Sequence, residues 1–336
     1  MTRHFAKFIL ALFTFFASLC LHAGIYEFFF PWLGAEAKIC LRVVDDLGKP
    51  VEGAKVTGYF HFTEAMKTRT VRVTTDADGC AELKENCDNT VAIEITKDGY
   101  YQSEEAIDYG KPGHALKGGK WFPYGELKTY VLKEQRNPVP LYSFFHPSFN
   151  VPSADQEYGY DLEYGDLVKP YGEGETADFL IKYTCEKSVG KEVRTLHLLF
   201  PNAMDGAYVF SPTKESKLWS PHHADAEAQY TKEIAFQIVY DTSGKFPTWD
   251  EASIPRDRAF ILRTRSKVDA NGTLVSARYG KIYGEVVFVG YEPPVMNGTL
   301  IVYLNPNAND TNLEARDGYI KELEKGVERR FYHAPY

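Results

Sequence analysis

KICLRVVDDLGKPVEGAKV, residues 38–56, decides the reading of the fold. Its first half alternates loosely between apolar and polar side chains, the period of a half-buried strand. Its second half gathers Gly48, Pro50 and Gly53, a cluster that ends one strand and begins another. The same grammar continues downstream. VTGYFHF (56–62) and TRTVRVTT (68–75) are β-branched and aromatic runs. DADG (76–79) reads as a tight turn, in which Asp bonds its own backbone and Gly supplies a positive φ. TVAIEITKDGYY (90–101) alternates again, and LKTYVLKEQ (127–135) ends the series. Short strands separated by turn signals predict a β-sandwich.

Three of these runs, VVDDLGKPVEGAKV, TTDADGCAEL and IEITKDGYY, together resemble the carboxypeptidase-regulatory-like, or prealbumin-like, β-sandwich domain over roughly residues 38–133. The insertion KPGHALKGGKWFPYG (111–125) departs from its compact form. The resemblance implies a fold and no activity, since such domains serve as spacers or binding modules beside other domains. Asp76 and Asp78 lack the further ligands and the distal bidentate Glu of a calcium loop, so a plain hairpin turn is expected there.

RNPVPLY (136–142) places two prolines around Val139 and reads as a stiff connector. The expected organisation is an N-terminal segment at 1–37, a sandwich at 38–135, a proline connector at 136–143 and a larger domain at 144–336. That last region holds ADFLIKYT (177–184), VRTLHLLF (193–200), EIAFQIVY (233–240), AFILRTRS (259–266) and TLIVYL (299–304), all strand-like. Short helices are expected at TWDEAS (248–253), where Thr248 and Glu251 have capping-box spacing, and at YIKELEKGVE (319–328). The fold class is all-β, mostly antiparallel, with short helices. The connector and GYDLEYGDLVKPYGEG (159–174) resemble exported bacterial proteins carrying the same sandwich, which brings a neighbourhood and no activity.

Arg3 and Lys7 precede an uncharged run from Phe8 to Leu21, the pattern of a secretory signal. Cleavage is expected after Ala23 or after Ala37, with an uncleaved membrane anchor as the alternative. The protein is therefore expected outside the cytoplasm: periplasmic, on the cell surface or secreted. Export permits disulfides among Cys40, Cys80, Cys87 and Cys185. Cys80 and Cys87 are close enough in sequence to staple a hairpin, with Cys40 as a rival partner, and sequence alone does not choose. A net charge of −8 argues against nucleic acid as a partner.

KPYGEGETADFLIKYT (169–184) invites a phosphate-loop reading through Gly172 and Gly174. A phosphate loop needs a helix after its glycines, and a strand follows here, so a turn is expected and no cofactor. His222, His223 and Asp225 in SPHHADAE do not read as a metal set, because adjacent residues of a strand face opposite ways. No nucleophile elbow is present, and acidic pairs such as Glu104 and Glu105 define no catalytic pair without spatial separation. No catalytic residue and no metal ligand is assigned.

Asn271-Gly272 between two β-like runs predicts a two-residue type I′ turn. That register sets Lys267 against Ser276 and Arg265 against Arg278. It sends Leu262, Val268, Val275, Ala277 and Tyr279 to a core face. Arg263, Arg265, Lys267 and Arg278 then share the other face. Like charges directly opposite repel, so acidic groups must neutralise them: either the protein's own carboxylates or an external polyanion. Tyrosines in YEFFF, DGYY, YGYDLEYG and RYGKIYG would suit a sugar platform, although strand packing accounts for most of them. The leading expectation is an exported, non-catalytic binding or structural module whose partner is a glycan or other envelope polymer. The alternative is an extracellular carbohydrate-active hydrolase with its site on loops of the second domain.

Overall fold

The computed structural model describes residues 34–62, 67–144, 148–213, 216–245, 248–249, 258–290 and 296–315. These contain strands and no helix. The chain divides into two compact units, one reaching to Glu134 and including 215–217, the other comprising the remainder from Gln135 onward.

The first unit holds β1 (Ala35–Asp45), β2 (Lys55–Phe62), β3 (Lys67–Thr74), β4 (Cys80–Cys87), β5 (Thr90–Thr96), β6 (Ser103–Asp108), β7 (Ala115–Lys117), β8 (Lys120–Phe122) and β9 (Leu127–Leu132). One sheet runs β3-β2-β5-β6; in the other, β1 pairs with β4, with β9 and with the β8-β7 hairpin. The alternation read from the sequence is the alternation of burial. Ile39, Leu41 and Val43 of β1, Val56 and Phe60 of β2, and Val91, Ile93 and Ile95 of β5 all enter one core. Each such side chain contributes about 1.5–3 kcal/mol relative to exposure.

The second unit holds β10 (Tyr142–Phe144), β11 (Ser148–Val151), β12 (Glu157–Asp161), β13 (Asp166–Leu167), β14 (Phe179–Ser188), β15 (Lys191–Leu199), β16 (Gly206–Phe210), β17 (Glu233–Asp241), β18 (Thr248–Trp249), β19 (Ala259–Val268), β20 (Leu274–Gly290) and β21 (Met296–Leu304). The sheet β13-β12-β14-β15-β17-β18 shares a core with the sheet in which β10 and β11 flank β21-β20-β19-β16. The second sheet is covered on its outer face as well, where Leu141, Trp219, Ala224, Leu313 and Ala315 pack. Coverage on both faces makes β19 buried almost without alternation. It also buries Lys281, whose Nζ donates to Ser220 Oγ (2.9 Å) and to the Leu313 carbonyl (2.7 Å).

Several expectations change. The proline segment is pinned within the second unit: Arg136 and Asn137 N–H groups donate to the buried Glu314 carboxylate, and Tyr142 pairs with Leu304. Thr248 and Trp249 lie in a strand paired with Asp241 and Tyr240, not at a helix start; residues 319–328 fall outside the described residues. Ala35–Ala37 belong to β1, paired with Cys87, Asn86 and Glu85, so a cut after Ala37 would remove part of a strand. Residues 1–33, which carry the signal-like run, also lie outside the described residues. The four cysteines are free thiols. Cys80 and Cys87 cap opposite ends of β4, about 23 Å apart at strand rise, and cannot bridge. Burial in the core pushes the Cys87 thiol up to about 12.

The Asp-x-x-Gly turn is the recurring local device. Asp76 Oδ1 accepts from the N–H groups of Asp78 (3.0 Å) and Cys80 (2.8 Å), while Gly79 N–H closes onto the Asp76 carbonyl (2.9 Å). Asp45 does the same for Leu47, Gly48 and Lys49. Gly48 and Gly79 have φ of 79° and 75°, but a Cβ on Gly48 meets nothing within 4 Å, whereas one on Gly79 would lie 2.3 Å from the Val43 carbonyl oxygen. Gly48→Ala should therefore cost about 1–2 kcal/mol, the left-handed backbone term alone. Gly79→Ala should cost clearly more, because β1 must move. Urea unfolding of the two variants checks this; equal losses would contradict the close approach.

Candidate functional site

The ionisable side chains singled out in the sequence are distributed by the first of two register shifts between β19 and β20; the second, between Lys267 and Val268, sets Val268 opposite Leu274. Gly206–Phe210 of β16 pairs with β19, and β19 pairs with β20 up to Thr264 opposite Arg278; pairing resumes at Lys267 opposite Ser276. Arg265 and Ser266 form the bulge between. Arg265 has φ of 52°, a left-handed conformation rare outside glycine. The Ser266 N–H freed by the bulge donates to Asp205 Oδ1 at 2.8 Å.

The predicted register is thus right at Lys267 and wrong at Arg265, which does not face Arg278. The turn differs too. Asp269 accepts from the Asn271 and Thr273 N–H groups, Gly272 N–H donates to the Asp269 carbonyl, and Asn271 keeps a negative φ. A type I′ turn needs positive φ at both central residues. This is the Asp-x-x-Gly turn again, with Asp269 capturing the backbone. Val268 and Val275 are consequently exposed, not in the core, while Leu262, Ala277 and Tyr279 are buried as expected.

Arg263, Arg265, Lys267 and Arg278 do not share one open face. Arg263 is buried: its Nε donates to the Met204 carbonyl (2.6 Å), one Nη to the Ala226 carbonyl (2.9 Å), and its guanidinium stacks 3.9 Å from the Tyr230 ring centre. Arg265 turns to the other side. Its Nε and Nη2 engage Asp178 in a two-point contact (2.8 and 2.9 Å), and its Nη groups reach Asp161 (2.8 Å) and Glu163 (2.6 Å). Arg278 joins at Glu163 (2.5 Å). Lys267 is exposed. The acidic groups that the crowded arginines demand are therefore the protein's own.

Asp161 and Asp178 have almost no side-chain exposure, and Glu163 about a quarter. Burial raises Asp178, with Arg265 and the Leu162 N–H offsetting part of the rise. Burial would raise Glu163 as well, but the two guanidinium groups reverse this and hold it below the usual carboxylate range. Burial would lower Arg265, whereas its hydrogen bonds to Asp178 and Glu163 hold it above its ordinary value.

Asp161 links this cluster to the glycine loop. Its Oδ2 accepts from the Glu175 (2.9 Å) and Thr176 (2.8 Å) N–H groups, and Asp166 accepts from Glu173 N–H (3.0 Å). A Cβ on Gly174 would lie 2.7 Å from Asp161 Cβ, and one on Gly172 only 2.3 Å from the Leu167 carbonyl oxygen. The glycines permit close approach, and the N–H groups that would cradle a phosphate hold carboxylates of this chain.

His222 is buried and His223 exposed, so the adjacent pair does diverge. His223 Nδ1 contacts Thr311 Oγ1 at 3.2 Å. Among the described residues no group of three or more His, Cys, Asp or Glu side chains is arranged to hold a metal ion. Of the tyrosines in DGYY, YGYDLEYG and RYGKIYG, Tyr101, Tyr158, Tyr160, Tyr279 and Tyr283 are buried, so packing accounts for most of them; YEFFF lies outside the described residues. The sequence reading overlooked Asp161, Glu163 and Asp178; the acidic spacing in YDLEYGD (160–166) was the available signal for the first two.

No protein-family model matches the sequence, and no curated protein is similar to it at a significant level. Among solved structures, a 3-chlorocatechol 1,2-dioxygenase from Rhodococcus opacus aligns over 30% of this chain at 12% identity and a TM-score of 0.25. The chain spans 61% of that dioxygenase's length. The major pilin subunit BcpA of Bacillus cereus aligns over 78% of this chain and 95% of its own, at 10% identity and a TM-score of 0.21. A putative carbohydrate binding protein from Bacteroides uniformis aligns over 80% and 99%, at 10% identity and a TM-score of 0.18. Scores this low carry no argument about function.

Arg265→Met should cost about 3–5 kcal/mol, because it strands buried carboxylates without a counter-ion. Arg265→Lys should rescue little, since an ammonium cannot make the two-point contact with Asp178. The sign of the pH dependence follows from burial. An unpartnered Asp178 is raised further above its unfolded value, so its ionised form opposes folding at neutral pH. Acidifying from pH 7 towards pH 5 should then narrow the gap between Arg265→Met and wild type in urea unfolding. A gap that is constant or widens over that range would contradict the assignment.

Proposed function

We propose that the chain is exported and acts without catalysis, as a binding or structural module of the cell envelope or exterior, with an acidic glycan or other envelope polymer as partner. One observation carries the reading: the cluster of Asp161, Glu163, Asp178, Arg265 and Arg278 is closed upon itself. A carbohydrate hydrolase needs an acid and a base open to substrate. Asp161, Glu163 and Asp178 are instead engaged by Arg265, Arg278 and backbone N–H groups. Their chemistry is spent on holding β12, β14 and the β19–β20 hairpin together.

Export rests on Arg3, Lys7 and the uncharged run that follows. Cleavage after Ala23 leaves β1 whole, whereas cleavage after Ala37 does not. N-terminal sequencing of exported protein should read from Gly24; a start at Lys38, or intact Met1 in a cytoplasmic pool, would contradict this.

The polymer reading is tested by affinity electrophoresis of the purified protein through gels containing polygalacturonate or, as control, neutral dextran. Retardation is expected in the acidic gel alone and should weaken as salt rises. Reducing ends released in proportion to protein concentration would overturn the non-catalytic assignment.

A further inference from the structure

We propose that the β7–β8 hairpin is the contact surface for a carboxylated polysaccharide, an assignment that rests on the polymer-binding reading above and gives it a location. The hairpin is the insertion that departs from the compact sandwich. Gly118 and Gly119 have φ of 55° and 75°, the two positive values a type I′ turn requires. Ala115 pairs with Phe122, Leu116 with Trp121 and Lys117 with Lys120. A strand's period of two then gives the hairpin two unlike faces.

The inner face is an anchor. Trp121 stacks on Tyr109 with ring centres 5.4 Å apart and planes 13° from parallel. Its Nε1–H donates to the Cys87 carbonyl at 3.2 Å. The outer face carries Lys117, Lys120 and Phe122, all exposed. Lys117 and Lys120 stand directly opposite each other, which is unfavourable for like charges. Among the described residues neither lysine has a carboxylate within ion-pair distance. Both ammonium groups lie over ring faces, Lys117 Nζ 5.7 Å from the Phe122 centre and Lys120 Nζ 4.6 Å from that of Tyr124. Glu36, the register partner of Lys120 across β1 and β8, is held by Lys84 and by the Tyr124 hydroxyl, with Lys120 adding a weaker charge interaction at longer range. Lys111 adds a further exposed positive charge, and Glu126 is the one acid between residues 109 and 128.

A hairpin that displays two exposed ammonium groups, neither in a direct ion pair, beside an exposed ring suits a polymer with both carboxylates and apolar C–H faces. The carboxylates meet Lys117 and Lys120, and a sugar ring lies on Phe122. A membrane surface fits less well, because the hairpin tip is Gly118-Gly119 flanked by lysines and offers no large apolar side chain for insertion. Nucleic acid is disfavoured by the net charge of −8.

The test uses the whole exported protein, retardation by polygalacturonate, and salt titration from about 50 mM upward. Lys117→Ala/Lys120→Ala should weaken binding roughly tenfold at the lowest salt and reduce the slope of log affinity against log salt by about one per lysine. Lys117→Arg/Lys120→Arg should restore most of the binding. Phe122→Ala should weaken binding about threefold or more with the salt slope unchanged, since a stacking contact carries no counter-ion. Urea midpoints of the lysine variants should stay level or rise, because a like-charge pair is relieved. Wild-type protein that ignores polygalacturonate overturns the polymer-binding reading and this one together. Wild-type retention that the lysine and Phe122 variants share equally overturns the hairpin assignment alone. Binding to vesicles rich in anionic lipid, with none to polygalacturonate, overturns the choice of partner.

Discussion

Arg265 is the counter-ion around which the second unit is arranged. Two carboxylates with almost no exposure, Asp161 and Asp178, sit on the strand ends facing it. Stranding one such charge costs on the order of 3–5 kcal/mol, a large part of the stability of an ordinary domain. The chain therefore accepts a left-handed Arg265, at roughly 1–2 kcal/mol, so that the guanidinium can leave its own sheet face and reach them. The bulge, the Asp205 acceptor for Ser266 and the folded-back glycine loop all follow from that one placement.

The all-β class was legible because it rests on a local quantity, the alternation of apolar side chains. Ile39, Leu41 and Val43 lie inward as the period of two requires. The Asp-x-x-Gly turns were legible in part: Asp76 was seen to bond its own backbone, but the same property in Asp269 was masked by the stronger-looking Asn-Gly pair. The Arg265 bulge was not legible at all. Its cause lies in Asp161 and Asp178, far away in sequence, and no local rule reports a partner at that distance. Cys80 and Cys87 misled for the opposite reason, since proximity in sequence means separation along a single extended strand.

The candidate site was half legible for the same physical reason. Sequence showed that the arginines crowded on this hairpin must be compensated, and Arg265 and Arg278 are, by Glu163, Asp161 and Asp178, although the two do not stand opposite each other as the predicted register placed them. It did not show which partner would do so. The glycine loop carries the same lesson with the signs exchanged: its backbone donors do bind an anion, and the anion is a side chain of this chain.

Two hairpins in this chain bring like charges together, and burial separates their fates. Around Arg265 and Arg278 water is largely excluded, so an uncompensated charge would be too costly to keep and the fold supplies its own acids. At Lys117 and Lys120 the ammonium groups stay in water, where repulsion between neighbours is small and screened. No folding pressure closes an ion pair there: Glu36 lies across from Lys120 but is paired with Lys84, and no carboxylate stands within ion-pair distance of either ammonium among the described residues. An open charge can persist only where solvent pays for its isolation, and only such a charge is free to meet a partner of opposite sign. A polyanion would therefore meet fewer internal competitors at the β7–β8 hairpin than at the hairpin with more arginines.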